Sequence, residues 1–204
     1  MVYYAKNMPH PVKEREEFIK AGAMEIEKLI EITKGRALIL FTAKSDLKAV
    51  YNILKERNLG YRLLRQRASS SQDELLHQFK EDENSVLLAT GTFWEGIDVP
   101  GKALSNVIIF KLPFPVPDPI IEYKRNTSED FLMEVSVPLM VVKLRQGVGR
   151  LIRNHKDKGI VAILDPRISD NSKRPYRDLV FNALPIKNKT QDMNKLKGFW
   201  KEIQ

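Results

Sequence analysis

None of the 204 residues is cysteine. That excludes disulfides, thiol nucleophiles, cysteine zinc sites and a cysteine-held Fe–S cluster from this chain. Histidine is nearly as scarce, and His10, His77 and His155 lie too far apart to show metal-ligand spacing. No apolar run approaches the roughly 20 residues a membrane helix needs. The best attempt, VPLMVV at Val137–Val142, is interrupted by Lys143. The opening MVYYAKNMPHP lacks the apolar core of an export signal, so the expected location is the cytoplasm, with no membrane partner. Internal repeats and low-complexity stretches are absent as well.

What is present suffices for one packed domain: 43% hydrophobic and 29% charged residues, which argues against wholesale disorder. Lys and Arg number 34 against 26 Asp and Glu, a net +8. The excess is unevenly placed. Residues 1–140 carry 19 basic and 20 acidic side chains, whereas residues 141–204 carry 15 and 6, a local net of +9. A basic segment suits a polyanionic partner, although solvated surface lysines produce the same count.

Four short apolar runs read as strands: Ala37–Thr42, Ser85–Thr90, Asn106–Phe110 and Ile160–Leu164, with Tyr61–Arg65 a weaker fifth. Each is nearly continuous rather than alternating, the pattern of parallel strands buried on both faces. Helical patterns lie between them at Ser45–Arg57, Gln72–Lys80 and Ser136–Arg153, with Ser45 and Ser136 as expected N-caps. An N-terminal helix over Val12–Thr33 puts Ile19, Ala23, Ile26 and Ile30 on one stripe. Alternating elements of this kind give an α/β fold, a mostly parallel sheet flanked by helices, over residues 1–185. Residues 186–204 form an amphipathic tail with Met193, Leu196, Trp200 and Ile203 at helical spacing. Prolines at 113, 115, 117 and 119 predict a stiff, extended crossover.

Two phosphate-binding fingerprints fail here. Gly91-x₄-Gly96 opens like a P-loop, but Ile97 and Asp98 stand where Lys and Ser or Thr are required. Gly147-x-Gly149 opens like a dinucleotide motif, yet position 152 is Ile and no strand leads into it. A free-standing NTPase or dehydrogenase is therefore disfavoured.

The segment around Gln146 carries a different signal. On a helical wheel, Gln146, Arg150 and Arg153 share an arc of roughly 60°. Val141, Leu144, Val148, Leu151 and Ile152 occupy the opposite side. Gly147 and Gly149 flank the polar arc, at a helix-propensity cost of roughly 1 kcal/mol each. Such a face suits an anion with distributed charge, such as a transferring γ-phosphate, with the glycines opening the backbone to close approach.

At this point the chain resembles a known group. TGTFWEGIDVPG (Thr90–Gly101), QGVGRLIRN (Gln146–Asn154) and LILFTAK (Leu38–Lys44) are similar to motifs V, VI and IV of superfamily 2 helicases in the DinG/XPD branch. IIFKLPFPVPDP (Ile108–Pro119) and GIVAILDPR (Gly159–Arg167) fit in order and spacing, and FWEG with the proline-rich run favours bacterial-type DinG.

The resemblance implies a RecA-like (P-loop NTPase type) second motor lobe, called helicase domain 2. Its partner would be a first lobe carrying the Walker motifs, on the same polypeptide or in trans. That lobe would bind most of the ATP and Mg²⁺ and, in many members, an Fe–S cluster. Carried over by position, Arg150 and Arg153 reach the γ-phosphate, with Gln146 beside them. Glu95, Gly96 and Asp98 border the ATP site and couple it to single-stranded DNA. Thr42, Thr90 and Thr92 contact DNA phosphates. The implied function is an ATP-dependent DNA helicase when both lobes are present, with the lobe alone inactive. The alternatives are a catalytically dead nucleic-acid-binding module and an unrelated α/β enzyme. Arg62, Arg65 and Arg67 offer either a second phosphate strip or the exposed ends of a short strand.

Overall fold

Apolar runs of four residues, too short for a helix and rich in Val, Ile and Leu, pair side by side at the centre of the molecule. The computed structural model describes residues 1–67, 69–94, 104–152 and 157–204. Its strands are β1 (Val2–Tyr4), β2 (Ala37–Leu40), β3 (Leu63–Arg65), β4 (Val86–Ala89), β5 (Asn106–Ile109), β6 (Ile160–Ile163) and β7 (Lys189–Thr190). They form one sheet in the order β3-β4-β2-β5-β6-β1-β7, and every pairing is parallel. At the centre, Leu38 lies between Leu87 and Val107.

The helices are α1 (Arg15–Thr33), α2 (Lys44–Glu56), α3 (Gln72–Glu81), α4 (Pro119–Thr127), α5 (Val137–Val148), α6 (Arg177–Asn182) and α7 (Met193–Ile203). They cover both faces of the sheet. Successive strand side chains point to opposite faces, so each strand feeds two cores. Leu38, Leu40, Val107, Ile109 and Ile163 pack with Phe79 of α3, Met140 and Leu144 of α5 and Val180 of α6. Ile39, Phe41, Ile108 and Phe110 pack with Phe18, Ile26 and Ile30 of α1, Val50 of α2 and Leu196 and Trp200 of α7. This double burial is why the strands are continuously apolar. Each fully buried Leu, Ile or Phe contributes about 1.5–3 kcal/mol of transfer free energy.

Three local expectations change. Ser45 does not cap α2: Ala43 occupies the cap position, and the Ser45 hydroxyl instead accepts from Arg15 Nη2 at 3.3 Å. Ser136 makes no capping bond either. A π-turn at Leu132–Ser136 runs straight into α5, so its backbone is already helical (φ −68°, ψ −43°) and there is no free terminus to cap. The helix expected to reach Arg153 ends at Val148, and the chain then tightens into i→i+3 bonds from Arg150 N to Gly147 O and from Leu151 N to Val148 O. The proline segment stays free of regular structure until Asp118, whose carboxylate caps α4 by accepting from Ile121 N at 2.8 Å. No helix among the described residues is long and apolar enough to cross a membrane.

Candidate nucleotide and nucleic-acid interface

In parallel sheets, ligand-binding groups collect beyond the C-terminal strand ends. Here that edge carries Gln66 and Arg67 after β3, Thr90 after β4, Thr42 and Lys44 after β2, Lys111 after β5 and Asp165 after β6. The β2–α2 turn divides it into two clefts, with Thr42 lining one and Lys44 the other.

The first cleft, 360 Å³, lies between Pro113–Val116 and α5. Trp94 and Thr42 line it, with Leu139, Val142, Lys143 and Gln146 from α5. The Trp94 indole donates to Phe41 O at 2.9 Å, and Lys143 Nζ stands 5.9 Å from its ring centroid. The Thr42 hydroxyl is shut off from solvent and has no protein partner. Gly147 sits against the same ring: a Cβ there would come within 2.9 Å of Trp94 and 3.1 Å of Leu40 Cδ1. This glycine therefore serves core packing rather than ligand approach. The structure brings Gln146 and Arg150 together, because Arg150 Nε donates to Gln146 O at 3.0 Å.

The wall of this cleft is anchored from β6. Asp165, fully buried, accepts from Leu112 N at 2.9 Å and from Arg167 Nε and Nη2 at 2.8 and 2.5 Å. The Arg167 guanidinium lies 4.8 Å from the Phe114 centroid, and Phe114 meets Tyr176 edge-on at 5.5 Å. Burial by itself would lower the Arg167 pKa. Hydrogen bonding and the charge of Asp165 outweigh it, and the net shift is upward. Burial raises the Tyr176 hydroxyl.

The second cleft, 450 Å³, has a different character. Lys44 and Lys48 of α2 face Arg65, Gln66, Arg67, Ser70 and Thr90, and no carboxylate among the described residues lines it. Gln66 Oε1 accepts from both Thr90 N (2.7 Å) and Thr90 Oγ1 (3.2 Å), which ties the ends of β3 and β4 together. Arg65 stacks 4.6 Å over Tyr51, and Arg67 N donates to Ser70 Oγ at 3.1 Å. Next to this cleft, buried Asp46 holds Arg15 (2.6 Å) and Lys111 (2.9 Å), which commits those two cations to an internal ion pair.

The expected site residues are thus distributed. Thr42 and Gln146 line the first cleft, with Arg150 bonded to Gln146; Thr90 lines the second, buried and engaged with Gln66. Thr92 is exposed on the 3₁₀ turn at Gly91–Trp94. Glu95, Gly96, Asp98 and Arg153 lie outside the described residues. Sequence reasoning missed Lys48 and Gln66. The i,i+4 spacing of Lys44 and Lys48 at the start of a helix was the available signal for the first. Nothing local marks Gln66. Arg62 turns away and donates to Gln78 Oε1 at 3.1 Å.

Residues 26–186 match the family model for the helicase C-terminal domain. The chain belongs to this family, in its DinG/XPD branch. It is 39% identical over 176 residues to the ATP-dependent DNA helicase YoaA of Haemophilus influenzae, covering 84% of this chain and 27% of that protein. It is 38% identical over 177 residues to the 3′-5′ exonuclease DinG of Bacillus subtilis, covering 83% and 19%. The chain therefore spans about a quarter or less of the length of these relatives. Among solved structures, an XPD helicase superposes with a TM-score of 0.70 at 21% identity, covering 93% of this chain and 34% of that one. The C-terminal domain of the DEAD-box protein Dbp5 matches over 99% of this chain and 96% of its own, with a TM-score of 0.58 at 16% identity. The fold is the RecA-like lobe these helicases share.

Proposed function

We propose that this chain is the second motor lobe of an ATP-dependent DNA helicase, which completes an ATP site and grips single-stranded DNA when joined to a Walker-type first lobe. One observation carries the reading: both clefts open on the same strand-end edge, separated only by the two-residue step from Thr42 to Lys44. A rigid lobe with this layout couples events in one cleft to position in the other.

The basic cleft supplies the DNA grip. Four cations with no carboxylate among the described lining residues favour a phosphate backbone, and Gln66 fixes Thr90 between them. Gln146 and Arg150 at the end of α5 supply the nucleotide contact. Phosphoryl transfer asks the protein for positioning and charge stabilisation, which an arginine delivered from a second lobe provides. ATP fits these residues: the Arg150 guanidinium, held by the Gln146 backbone carbonyl, and the Gln146 side chain lining the cleft offer donors to an anion with several acceptor oxygens. Mg²⁺ would be held by the first lobe, as the resemblance to two-lobe helicases implies. When bound, ATP supplies the bond whose hydrolysis drives stepping. This chain orients its γ-phosphate and closes the cleft to water.

The test is reconstitution. The isolated chain should show no ATP hydrolysis, and adding a Walker-type first lobe from a relative should restore DNA-stimulated turnover. DNA binding without any restored turnover would favour the dead binding module instead.

A further inference from the structure

At the opposite end of the sheet, α1 finishes in three consecutive left-handed residues: Lys34 (φ 54°), Gly35 (φ 77°) and Arg36 (φ 49°). That conformation is ordinary for glycine and strained for residues that carry a Cβ. Only glycine fits at the middle position, because a Cβ there would stand 1.9 Å from Asn84 O. The turn delivers the Lys34 and Arg36 side chains to one cavity of 470 Å³, whose wall also includes Lys158, Ser105, Trp200 and Glu83.

The two cations are not needed as helix caps. Three carbonyls of the last turns of α1 are served without them: Glu31 O by Lys34 N, Ile30 O by Gly35 N, and Leu29 O by both Thr33 Oγ1 and Asn106 Nδ2. Two N–H donors lining the cavity lack an acceptor altogether. Arg36 Nε and Trp200 Nε1 are shut off from solvent with no hydrogen-bond partner, and Trp200 is only 7% exposed. Orphaned buried donors are uncommon, and a ligand oxygen entering the cavity would supply the acceptor that each lacks. Lys34 and Lys158 add positive charge, and Glu83 is the one acidic side chain among the described lining residues.

We propose that this cavity binds a phosphate group carried by a small molecule, at a site separate from both strand-end clefts. A phosphate offers three or more acceptor oxygens to match a guanidinium N–H, an indole N–H and two ammonium groups, where a carboxylate offers two. The remaining volume accommodates whatever bears the phosphate.

The two tryptophans make the test selective, because the Trp94 indole is already bonded to Phe41 O and serves as an internal control. The intact chain is titrated with inorganic phosphate at constant ionic strength while both indole N–H signals are followed by ¹H–¹⁵N NMR. The Trp200 signal, assigned through Trp200→Phe, should shift saturably while that of Trp94 stays in place. Arg36→Gln should weaken the affinity about tenfold. Lys158→Gln, at an exposed position that leaves the fold intact, should weaken it by a smaller factor. A stationary Trp200 signal, a drift that never saturates, or unchanged affinity in both variants would overturn the site. Equal affinity for acetate would overturn the phosphate assignment. A single-stranded oligonucleotide that moves Trp200 when phosphate does not would overturn the small-ligand assignment.

Discussion

Cations on this lobe are put to two opposite uses. Arg15, Lys111 and Arg167 are bound to the buried carboxylates Asp46 and Asp165, where they lock loops at the strand ends. Lys44, Lys48, Arg65 and Arg67 converge on a cleft that no carboxylate among the described residues lines. Both sets lie on the same edge of the sheet, and their net charge per residue is the same. The difference teaches that a basic count says little about phosphate binding until each cation's carboxylate neighbours are known. It also relocates the basic surface. The +9 of the last third suggests that a polyanion would meet residues 141–204, yet the four cations of the cleft come from residues 44–67, inside the stretch with a net of −1.

The contrast can be broken at several points, and the largest effect is expected at the nucleotide end. In a reconstituted two-lobe assembly, Arg150→Ala should lower ATP turnover by about 10³-fold or more while leaving ATP binding nearly intact. Steady-state kinetics beside nucleotide binding reads both, and normal turnover would remove Arg150 from the ATP site.

A committed cation should cost stability instead. Arg167→Ala leaves the Asp165 carboxylate buried without its countercharge, and breaking a buried pair destabilises by about 3 kcal/mol. Urea unfolding should show that loss, and an unchanged midpoint would mean the pair is not structural. Somewhat less should follow from Gly147→Ala. Its new Cβ falls 2.9 Å from the Trp94 ring, and overpacking of this kind costs about 1–3 kcal/mol. Substitution without loss would show that Trp94 can shift, and that the close approach of α5 is not required.

The smallest free-energy change belongs to the uncommitted cations. Lys48→Ala should leave the unfolding midpoint in place, because Lys48 is exposed. It should reduce the slope of log affinity against log salt for single-stranded DNA by about 0.7, the contribution of one phosphate contact. A stability loss without any change in salt slope would reverse the distinction between the two groups of cations.

Much of the fold is legible in the sequence, because double-faced burial leaves a local trace. The apolar runs that became β2, β4, β5 and β6 are continuous, and the stripe of α1 repeats at helical spacing. β1 and β7 are only three and two residues long and carry no pattern of their own. β1 pairs with the edge that β6 offers, and β7 with the edge that β1 then offers. The end of α5 was misread for a related reason. Helical periodicity continues past Val148 on paper, but the backbone tightens into i→i+3 bonds at Arg150 and Leu151, where the regular helix ends.

Of the residues that line the two clefts, Thr42, Gln146 and Thr90 lie in segments that the helicase resemblance singles out, since those motifs are contiguous in the chain. The basic cleft as a whole is not legible in this way. Lys44 and Lys48 come from one helix, Arg65 to Arg67 from another strand's end, and Thr90 from a third element. Their approach depends on the strand order β3-β4-β2.

Sequence alone determined that the chain holds no thiol chemistry, no P-loop and a buried parallel sheet, because absence and periodicity are local properties. Tertiary structure alone decided which cations face each other and which are held by carboxylates. Electrostatic partnership depends on distance and burial, and neither is written along the chain.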